Sequence, residues 1–439
     1  MKVTRRPEGA ILTPMPIRNA HIVIDGYNLI RRQGTGIKTY GLTLARTLAG
    51  LGARVSVLWG GGGPRIPVVR EAMLYDRPPK GPFPLGRALR LAAFHTPLFT
   101  AARPAGHAPT GLVIPDQKED DLAPLAHRYY SQPDCYIAAH RLFQLAGIPF
   151  RVRFPDRVDA WHATCPLPVQ ARGARNVTTI HDLIPLRLPW ATLDNRVLFY
   201  RTVRRALDAS DLVLAVSEHT KRDVVEIFGV PPERIVVTHE PCIFPSKPPA
   251  AEQQALVLGT YGLKPKAYAL FVGAIEPKKN VGRLLMAWRA ANPSIPLVVA
   301  GGKGWLSKDE LKASGPLVES GRLLLASYVP RAHLPCLYAG ALFFVFPSLY
   351  EGFGLPPLEA MAHGCPVLAS RVASIPEICG DAALYCDPTN LDDLTDKLKV
   401  MLAADALRGQ LAEKGLSRAA QFGPDAYAAR LAEAYAKIL

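Results

Sequence analysis

Short apolar runs alternate with longer, more polar stretches along most of the chain. A continuous apolar run bounded by turn residues is typical of a strand that is buried on both faces of a parallel sheet. The stretches between the runs have helical character, so the alternation predicts an α/β chain with doubly wound parallel sheets. The predicted strands are HIVIDG, RVSVLW, DAWHAT, NVTTIHD, DLVLAVS and RIVVTHE in the first half, and YALFVGAI, PLVVAGG, RLLLASYV, ALFFVFPS and PVLASRV in the second.

A proline-rich stretch of weak patterning, CIFPSKPPAAEQQ at residues 242–254, separates these two series of strands. The chain has 439 residues, which is more than one hydrophobic core ordinarily serves. We therefore predict two Rossmann-like domains, residues 1–245 and 246–421, which face each other across a cleft at the carboxyl ends of their strands. Residues 60–110 are rich in Gly, Pro and Arg and break the rhythm, and we predict an insertion over about residues 60–157.

The net charge of +15 is unevenly distributed. Residues 1–245 hold 32 Lys and Arg against 20 Asp and Glu, whereas residues 246–439 hold 20 against 17. A basic half beside a nearly neutral half predicts that the first domain meets an anionic surface. No zinc-finger or RNP-type motif indicates that this surface is nucleic acid.

Three features bear on where the protein is found. No apolar run reaches the roughly 20 residues needed to cross a bilayer. The basic N-terminus, MKVTRRPEGAILTPMPI, has an apolar stretch that is too short and too proline-broken for a signal peptide. The seven cysteines are scattered and form no C-x-x-C pair, which predicts buried thiols in a reduced compartment and no zinc site. We therefore expect a cytoplasmic protein.

The run PSLYEGFGLPPLEAMAHG, residues 347–364, follows the apolar run GALFFVFPS and predicts a strand, a glycine loop and a helix that begins at a proline. The backbone N–H groups of Gly354 and Leu355 would then lie at a helix N-terminus, which favours an anion. Glu351 and Glu359 flank this position. Carboxylates beside an anion site make sense if the ligand carries hydroxyls as well as phosphate, as a nucleotide sugar does.

Two further groups of polar residues follow predicted strands. Lys278 and Lys279, in FVGAIEPKKN, stand at a strand's carboxyl end before a helix for which Asn280 is the expected N-cap. Paired ammonium groups there can neutralise a diphosphate, although a solvated turn is the alternative interpretation. His181 and Asp182, in NVTTIHDLIPLRLP, end a strand of the first domain, where a functional role competes with a structural one.

Glycines mark two other turns. In RRQGTGIKTYGLTLA, Gly34 and Gly36 permit a close approach to phosphate at the start of a helix. The spacing is not that of a dinucleotide fingerprint, and no Walker loop is present. In VAGGKGW, a tight turn and a nucleoside contact remain equal alternatives. No D-x-D pair, the usual metal–diphosphate clamp, occurs, so we expect no metal and no other cofactor.

Taken together, these segments resemble the family 4 retaining glycosyltransferases, which have the GT-B fold. The resemblance covers residues 21–59 and about 158 to the end. The motifs that carry it are GTGIKTY, TTIHDLIPLRLP, AVSEHTKRDVVEIFGVPPERI, FVGAIEPKKNVGRLLMAW and PSLYEGFGLPPLEAMAHGCPVLASRVASIPEICGDAALYCDP.

The resemblance implies roles for the matching side chains. Glu359 looks like the residue that binds the ribose hydroxyls, and Glu351 like the one near the transferred sugar. Lys279 matches the lysine that binds the donor's diphosphate in the family. Lys278 stands where the family more often has Arg, and unlike Arg it cannot form two parallel hydrogen bonds to the phosphate. His181 resembles the residue that contacts the donor sugar near its 6-position. His181, Lys279 and Glu351 are thus the predicted catalytic residues.

The backbone also has roles by resemblance. Phe353, Gly354 and Leu355 would contact the donor's sugar and phosphate, and Gly34 and Gly36 belong to the loop that approaches the diphosphate. The C-terminal stretch, residues 422–439, resembles the GT-B helix that returns to the first domain. One departure is THEPC at residues 238–242, where the family usually has Pro-Asn-Gly.

The resulting prediction is a retaining hexosyltransferase of cell-surface polysaccharide synthesis. Its HDLIPLRLP motif is similar to that of bacterial mannosyl- and rhamnosyltransferases, which makes GDP-mannose the first donor guess. The expected acceptor is a glycan or a lipid-linked acceptor. A sugar phosphorylase or synthase of the same fold, and a non-catalytic nucleotide-sugar-binding subunit, remain alternatives. The nucleotide base, the donor sugar, the acceptor, the linkage, the role of residues 60–157 and the oligomeric state are not readable from the sequence.

One basic segment predicts peripheral contact with an anionic membrane on the cytoplasmic side. Residues 77–115 contain five Lys or Arg and no Asp or Glu, interleaved with the apolar groups of FPLGRALRLAAFHTPLF. An ordinary insertion packed on its own domain is the alternative. A second basic run, at residues 196–205, is interpreted as a solvated helix face.

Overall fold

The structure is a computed structural model that describes residues 17–29, 36–61, 66–72, 101–108, 110–113, 126–243, 249–302 and 304–439. Gly34, the N-terminal residues 1–16 and residues 77–100 of the predicted membrane segment lie outside the described residues. The predictions made for them therefore stay predictions.

The strands of the described residues include every strand predicted from an apolar run. Additional strands lie at residues 105–107, 128–131, 150–152, 169–171 and 383–386, which the sequence did not predict. The strands are β1 His21–Asp25, β2 Arg54–Trp59, β3 Ala105–His107, β4 Arg128–Ser131, β5 Phe150–Val152, β6 Ala160–Ala163, β7 Val169–Ala171, β8 Arg175–Ile180, β9 Leu212–Ala215, β10 Ile235–Val237, β11 Ala269–Val272, β12 Leu297–Ala300, β13 Leu323–Ser327, β14 Phe343–Phe346, β15 Val367–Ser370 and β16 Ala383–Cys386.

Helices connect most of these strands, as the alternation predicted. The α-helices are Gly36–Gly50, Pro67–Ala72, Cys135–Ala146, Ile184–Arg187, Arg196–Ala209, Glu218–Phe228, Ala251–Thr260, Val281–Ala291, Ser307–Glu310, Gly315–Glu319, Leu334–Gly340, Leu355–Ala362, Ile375–Cys379, Leu391–Ala403, Asp405–Ala420 and Pro424–Tyr435, and the short 3-10 helices are Pro189–Ala191, Pro232–Arg234, Pro277–Lys279 and Arg331–His333. Among the described helices, none combines the length and the apolar character needed to cross a bilayer.

Two large sheets contain most of the strands. The first has the order β10-β9-β8-β6-β1-β2-β4-β3, and the second has the order β13-β12-β11-β14-β15-β16. Ten of the pairings between neighbouring strands in these sheets are parallel, and β3 pairs with β4 in the antiparallel direction. Strands β5 and β7 form a small parallel pair of their own. The predicted α/β class with doubly wound parallel sheets is therefore confirmed.

The chain divides into two compact units, one of Met1–Thr178, Asp208–Leu212 and Ala428–Leu439, and the other of Thr179–Leu207 and Val213–Tyr427. The domain boundaries predicted near residue 245 stay a prediction. In the first unit, Nδ1 of the buried His162 forms a 2.7 Å hydrogen bond with the hydroxyl of Tyr435, which lies in the C-terminal stretch. Gly36 begins a helix in this unit.

The second unit is built around an aromatic core. Strand β14 is fully buried, and the ring of Phe346 stacks on the rings of Phe271 and Phe344 at centroid distances of 6.2 and 5.8 Å. Trp288 is also fully buried, and its indole nitrogen donates to the Arg322 carbonyl at 3.1 Å. Burying each such side chain contributes roughly 1.5–3 kcal/mol. This core fixes the carboxyl ends of the strands that the predicted polar site residues follow in the chain.

The cysteines add no cross-links to this core. All seven are free thiols, and six of them are buried. The prediction of buried thiols is confirmed for these six.

Candidate active site

The glycine loop after β14 has the predicted form of strand, loop and helix. The helix Leu355–Ala362 begins with Pro356 and Pro357 in its first turn, and Gly354 precedes it with φ +111°. Residues that carry a side chain rarely adopt that backbone conformation, which explains why a glycine stands at this position. The Ser374 hydroxyl fixes the backbone of this loop, because it donates to the carbonyls of Glu351 and Phe353 at 2.9 and 2.6 Å.

Lys279 and Glu351 form a buried ion pair at the centre of the site. The distance between Nζ and Oε1 is 2.6 Å, and the side chains are 11% and 10% exposed. Nζ also lies 4.8 Å from the centroid of the Phe346 ring. Burial alone would raise the pKa of Glu351, but the ammonium groups of Lys279 and Lys278 outweigh it and lower that pKa. Glu351 is therefore held ionised.

Lys278 is the second ammonium group of this cluster. Its Nζ lies 3.4 Å from Glu276, whose side chain is almost fully buried. Burial opposes the charged form of Lys278, yet Glu351, Asp182 and Glu276 raise its pKa above the usual value. Burial also raises the pKa of Glu276. The ammonium groups of Lys278 and Lys279 thus lie beside carboxylates in an enclosed cluster. An anionic ligand such as a diphosphate would have to compete with these carboxylates for the ammonium groups.

Asn280 stands at the predicted N-cap position of helix Val281–Ala291, but its side chain does not cap the helix. Its backbone is left-handed, with φ 60°, and no capping hydrogen bond forms. The side-chain amide instead donates to the carbonyls of Pro347 and Pro388 at 3.0 and 2.8 Å. Asn280 thereby ties the lysine turn to the start of the glycine loop.

His181 follows strand β8 and lies against the glycine loop. Its Nδ1 is 3.1 Å from Oε1 of Glu240, and its carbonyl accepts a hydrogen bond from the Thr220 hydroxyl at 3.1 Å. A Cβ atom added to Gly352 would lie 1.9 Å from the same carbonyl oxygen. Only glycine therefore permits the loop to approach His181 this closely.

Glu359 is buried on the helix that follows the loop. The Tyr338 hydroxyl donates to its Oε2 at 3.0 Å, and His363 stacks on the Tyr338 ring at 5.7 Å. Burial raises the pKa of Glu359 to about 7, while Tyr338 and Arg331 act in the opposite direction. Glu359 therefore changes charge near neutral pH.

The structure brings most predicted site residues together in one unit: His181, Lys278, Lys279, Glu351, Phe353, Gly354, Leu355 and Glu359. The Phe353 side chain is buried, near the rings of His239 and Phe422, and its carbonyl accepts a hydrogen bond from Ser374. Gly36 belongs to the other unit. The roles assigned to all these residues, and to Gly34 outside the described part, stay predictions.

Two families of known proteins match the chain. The family described as Glycosyl transferases group 1 matches residues 261–418, and the one described as Glycosyltransferase Family 4 matches residues 98–241. The O-antigen chain mannosyltransferase B of Escherichia coli is 37% identical over 260 residues, which are 57% of this chain and 67% of that protein. The chain belongs to the family 4 glycosyltransferases. It is thus an enzyme that transfers sugar, as the sequence predicted.

Other similarities are more distant. The serotype-specific mannosyltransferase WbdA of Escherichia coli is 28% identical over 275 residues, which are 59% of this chain and only 33% of WbdA. The chain therefore spans about a third of the length of that relative. The solved structure of Anabaena Alr3699/HepE in complex with UDP-glucose matches with a TM-score of 0.64 at 14% identity, over 94% of this chain and 98% of that one. This match confirms the GT-B fold.

Sequence reasoning missed several residues of this candidate site. Glu276 lies beside the two lysines in EPKKN, where the charge run itself was a signal. Glu240 lies in THEPC, which was recognised only as a departure from the family pattern. Tyr338 and Ser374 gave no local signal, because their contacts are made with loop and helix residues more than 20 positions away.

Proposed function

We propose that this glycosyltransferase transfers a hexose, with retention of configuration, from a nucleotide-diphosphate sugar to a lipid-linked glycan of the cell surface. GDP-mannose is the proposed donor. The name of the Escherichia coli O-antigen chain mannosyltransferase B supports the sugar and the glycan class. The UDP-glucose bound to the Anabaena neighbour supports a nucleotide sugar as the kind of donor.

The observation that carries the proposal is the buried cluster of Lys278 and Lys279 beside Glu351. Breaking the bond between the sugar and the diphosphate develops negative charge on the leaving phosphate. Ammonium groups that are already fixed in an enclosed site stabilise that charge without reorganisation. Lys279 then exchanges its partner Glu351 for the diphosphate, and Glu351 becomes an acceptor for a sugar hydroxyl.

The remaining residues orient the donor. Glu359 accepts hydrogen bonds from the ribose, and His181 contacts the sugar. The C1–O bond to the phosphate breaks, a bond from the acceptor oxygen to C1 forms on the same face, and the acceptor's proton goes to the leaving phosphate oxygen. The charge of the leaving group is neutralised by the lysines and the helix N-terminus at Gly354, so the proposed reaction needs no metal.

The function is tested by incubating the purified chain with GDP-mannose or UDP-glucose and a lipid-linked O-antigen-type glycan, and by measuring donor consumption and the product formed. We expect GDP-mannose to be consumed and one hexose to be added, with the anomeric configuration of the donor retained in the NMR spectrum of the product. An inverted product contradicts the mechanism. Failure to release a nucleotide diphosphate from either donor contradicts the proposed function and favours a binding subunit. A sugar phosphate formed from inorganic phosphate favours the phosphorylase.

We also propose peripheral contact with an anionic membrane on its cytoplasmic face. The proposal starts from the basic segment of residues 77–115. Within the described residues, Trp190, Leu193 and Val197 are 58%, 76% and 69% exposed, and they are close in sequence to the exposed Arg196 and Arg201, so we extend the proposal to this second basic run. Each basic residue near an anionic leaflet contributes about 1 kcal/mol. Such a contact would hold the enzyme near a lipid-linked acceptor.

Sedimentation with vesicles tests this contact. We expect binding to anionic vesicles at low salt, little binding to neutral ones, and loss of binding at high salt. Changing Trp190, Leu193 and Val197 to Ser should weaken binding. Tyr328→Ser, at a residue that is 79% exposed elsewhere on the chain, is the control. Equal sedimentation with both vesicle types, or none with either, would remove the membrane proposal.

A further inference from the structure

The pair of His181 and Glu240 joins two segments that lie 59 residues apart in the sequence. His181 follows strand β8, and Glu240 lies in the turn after strand β10. Nδ1 of the imidazole is 3.1 Å from Oε1 of the carboxylate, and the side chains are only 15% and 14% exposed. The contact is a hydrogen bond when the ring is neutral and an ion pair when it is protonated, and its enclosure would screen such a pair far less than one on the surface.

The backbone on both sides of the pair is fixed. The His181 carbonyl is held by the Thr220 hydroxyl and by the close packing of Gly352. On the other side, Glu240 follows His239, whose φ of 47° is uncommon for a residue other than glycine. His239 Nε2 lies 2.8 Å from Glu377, which also accepts hydrogen bonds from the first backbone N–H groups of helix Glu218–Phe228. The strained turn is therefore held in place.

Two further carboxylates, those of Asp182 and Glu359, lie in the same charged environment as the pair. Asp182 is the next residue in the chain and acts on Lys278. Glu359 experiences the negative charge of Glu240. The hydrogen bond between the ring and Glu240 is a direct contact of His181 with a charged side chain.

We propose that Glu240 is a positioning residue for His181. A carboxylate only accepts hydrogen bonds, so the bond to Glu240 places the proton on Nδ1 and fixes both the tautomer and the plane of the ring. Nε2 is then the nitrogen that meets the sugar of the donor. The nearby negative charge also favours the imidazolium form. That His181 meets a sugar rests on the proposed function, whereas the pairing itself does not.

The test is an NMR titration of the full-length chain labelled with ¹⁵N-histidine, without substrate. His181→Ala identifies the ring signals. In the wild type we expect a neutral ring that carries its proton on Nδ1. Glu240→Gln keeps an acceptor of the same size but removes the negative charge, so it should keep the tautomer while the pKa of His181 falls. Glu240→Ala should lower the pKa and also release the tautomer. Glu319→Gln, at an exposed glutamate, should change neither.

Kinetics supply a second readout. Glu240→Ala and His181→Ala should each lower kcat/KM, and the double variant should lose little more than His181→Ala alone, because Glu240 acts through His181. Unchanged tautomer and titration midpoint of His181 in Glu240→Ala would overturn the proposal. Fully additive losses in the double variant would do the same. If the chain transfers no sugar at all, the NMR result still decides the pairing.

Discussion

Lys279 and Glu351 lie 72 residues apart in the sequence and 2.6 Å apart in the structure. The ion pair they form is almost completely enclosed, with Lys278 and Glu276 beside it. A buried pair of this kind is weak evidence for stability, since desolvation of both charges offsets their attraction. Its place at the ends of two parallel strands, next to a helix N-terminus, is what a site for an anionic ligand requires.

The first prediction concerns the stability of this pair. Replacing Lys279 with Met leaves the Glu351 carboxylate buried without its partner, which should cost about 3–5 kcal/mol of unfolding free energy. Adding Glu351→Gln to that variant should recover part of the loss. Chemical denaturation measures both effects, and Lys312→Met, at a lysine that is 77% exposed, is the control. A double variant less stable than the single one would contradict the assignment.

Nucleotide binding should depend on the charge of Glu359. Burial raises the pKa of Glu359 from 4.5 to about 7, and the ionised carboxylate is the better acceptor for ribose hydroxyls. Affinity for GDP should therefore weaken as the pH falls below about 7. Glu359→Gln should flatten that dependence. Because Tyr338 lowers the pKa of Glu359, Tyr338→Phe should move the midpoint to higher pH. Calorimetric titration between pH 5.5 and 8.5 measures these shifts.

The same raised pKa has a consequence for folding. A folded-state pKa above the unfolded value means that ionisation of Glu359 opposes folding as the pH rises through about 7. The wild type should therefore lose stability relative to Glu359→Gln between pH 5 and pH 8. A stability difference that does not change over this range would show that the carboxyl titrates normally.

Gly352 should be intolerant of substitution. A Cβ atom there would meet the His181 carbonyl at 1.9 Å, and neither backbone can move without disturbing the loop or the end of β8. We expect Gly352→Ala to cost at least about 1–3 kcal/mol, as overpacking does, and to abolish transfer. Gly409→Ala, where nothing lies within 4 Å, should be neutral or slightly stabilising. Equal stability of the two variants would contradict this packing.

Metal independence is a separate expectation. The proposed reaction neutralises the diphosphate with Lys278, Lys279 and the helix N-terminus at Gly354. Transfer should therefore persist in EDTA, and added Mg²⁺ or Mn²⁺ should change it little. Complete loss of activity in EDTA that either ion restores would require a different account of charge neutralisation.

Much of the fold was predictable because buried parallel strands are continuous apolar runs. Strand β14, with the sequence FFVF, is fully buried and was evident. Strand β16, with the sequence ALYC, is half-buried at the middle and lies at a sheet edge, so its run is short and mixed. Strands β5, with the sequence FRV, and β7, with the sequence VQA, have three residues each with a polar one in the middle, so no apolar run marks them.

The site was predictable where its chemistry is local. Lys279, Glu351 and Glu359 stand in motifs that a single strand, loop and helix explain. Their partners were not predictable in the same way. Glu240 and Tyr338 reach the site through tertiary packing, which no periodicity in the sequence encodes. Asn280 shows the same limit, since its side chain bonds to two distant carbonyls instead of its own helix.

The central claim is that the Lys278–Lys279 cluster binds and activates the donor's diphosphate. The most direct measurement is the rate of GDP release from GDP-mannose by the wild type and by Lys279→Ala, with acceptor present and with folding checked by circular dichroism. Loss of one preorganised charge should lower the rate by about 10²-fold or more. A folded Lys279→Ala enzyme that releases GDP at nearly the wild-type rate would contradict the claim.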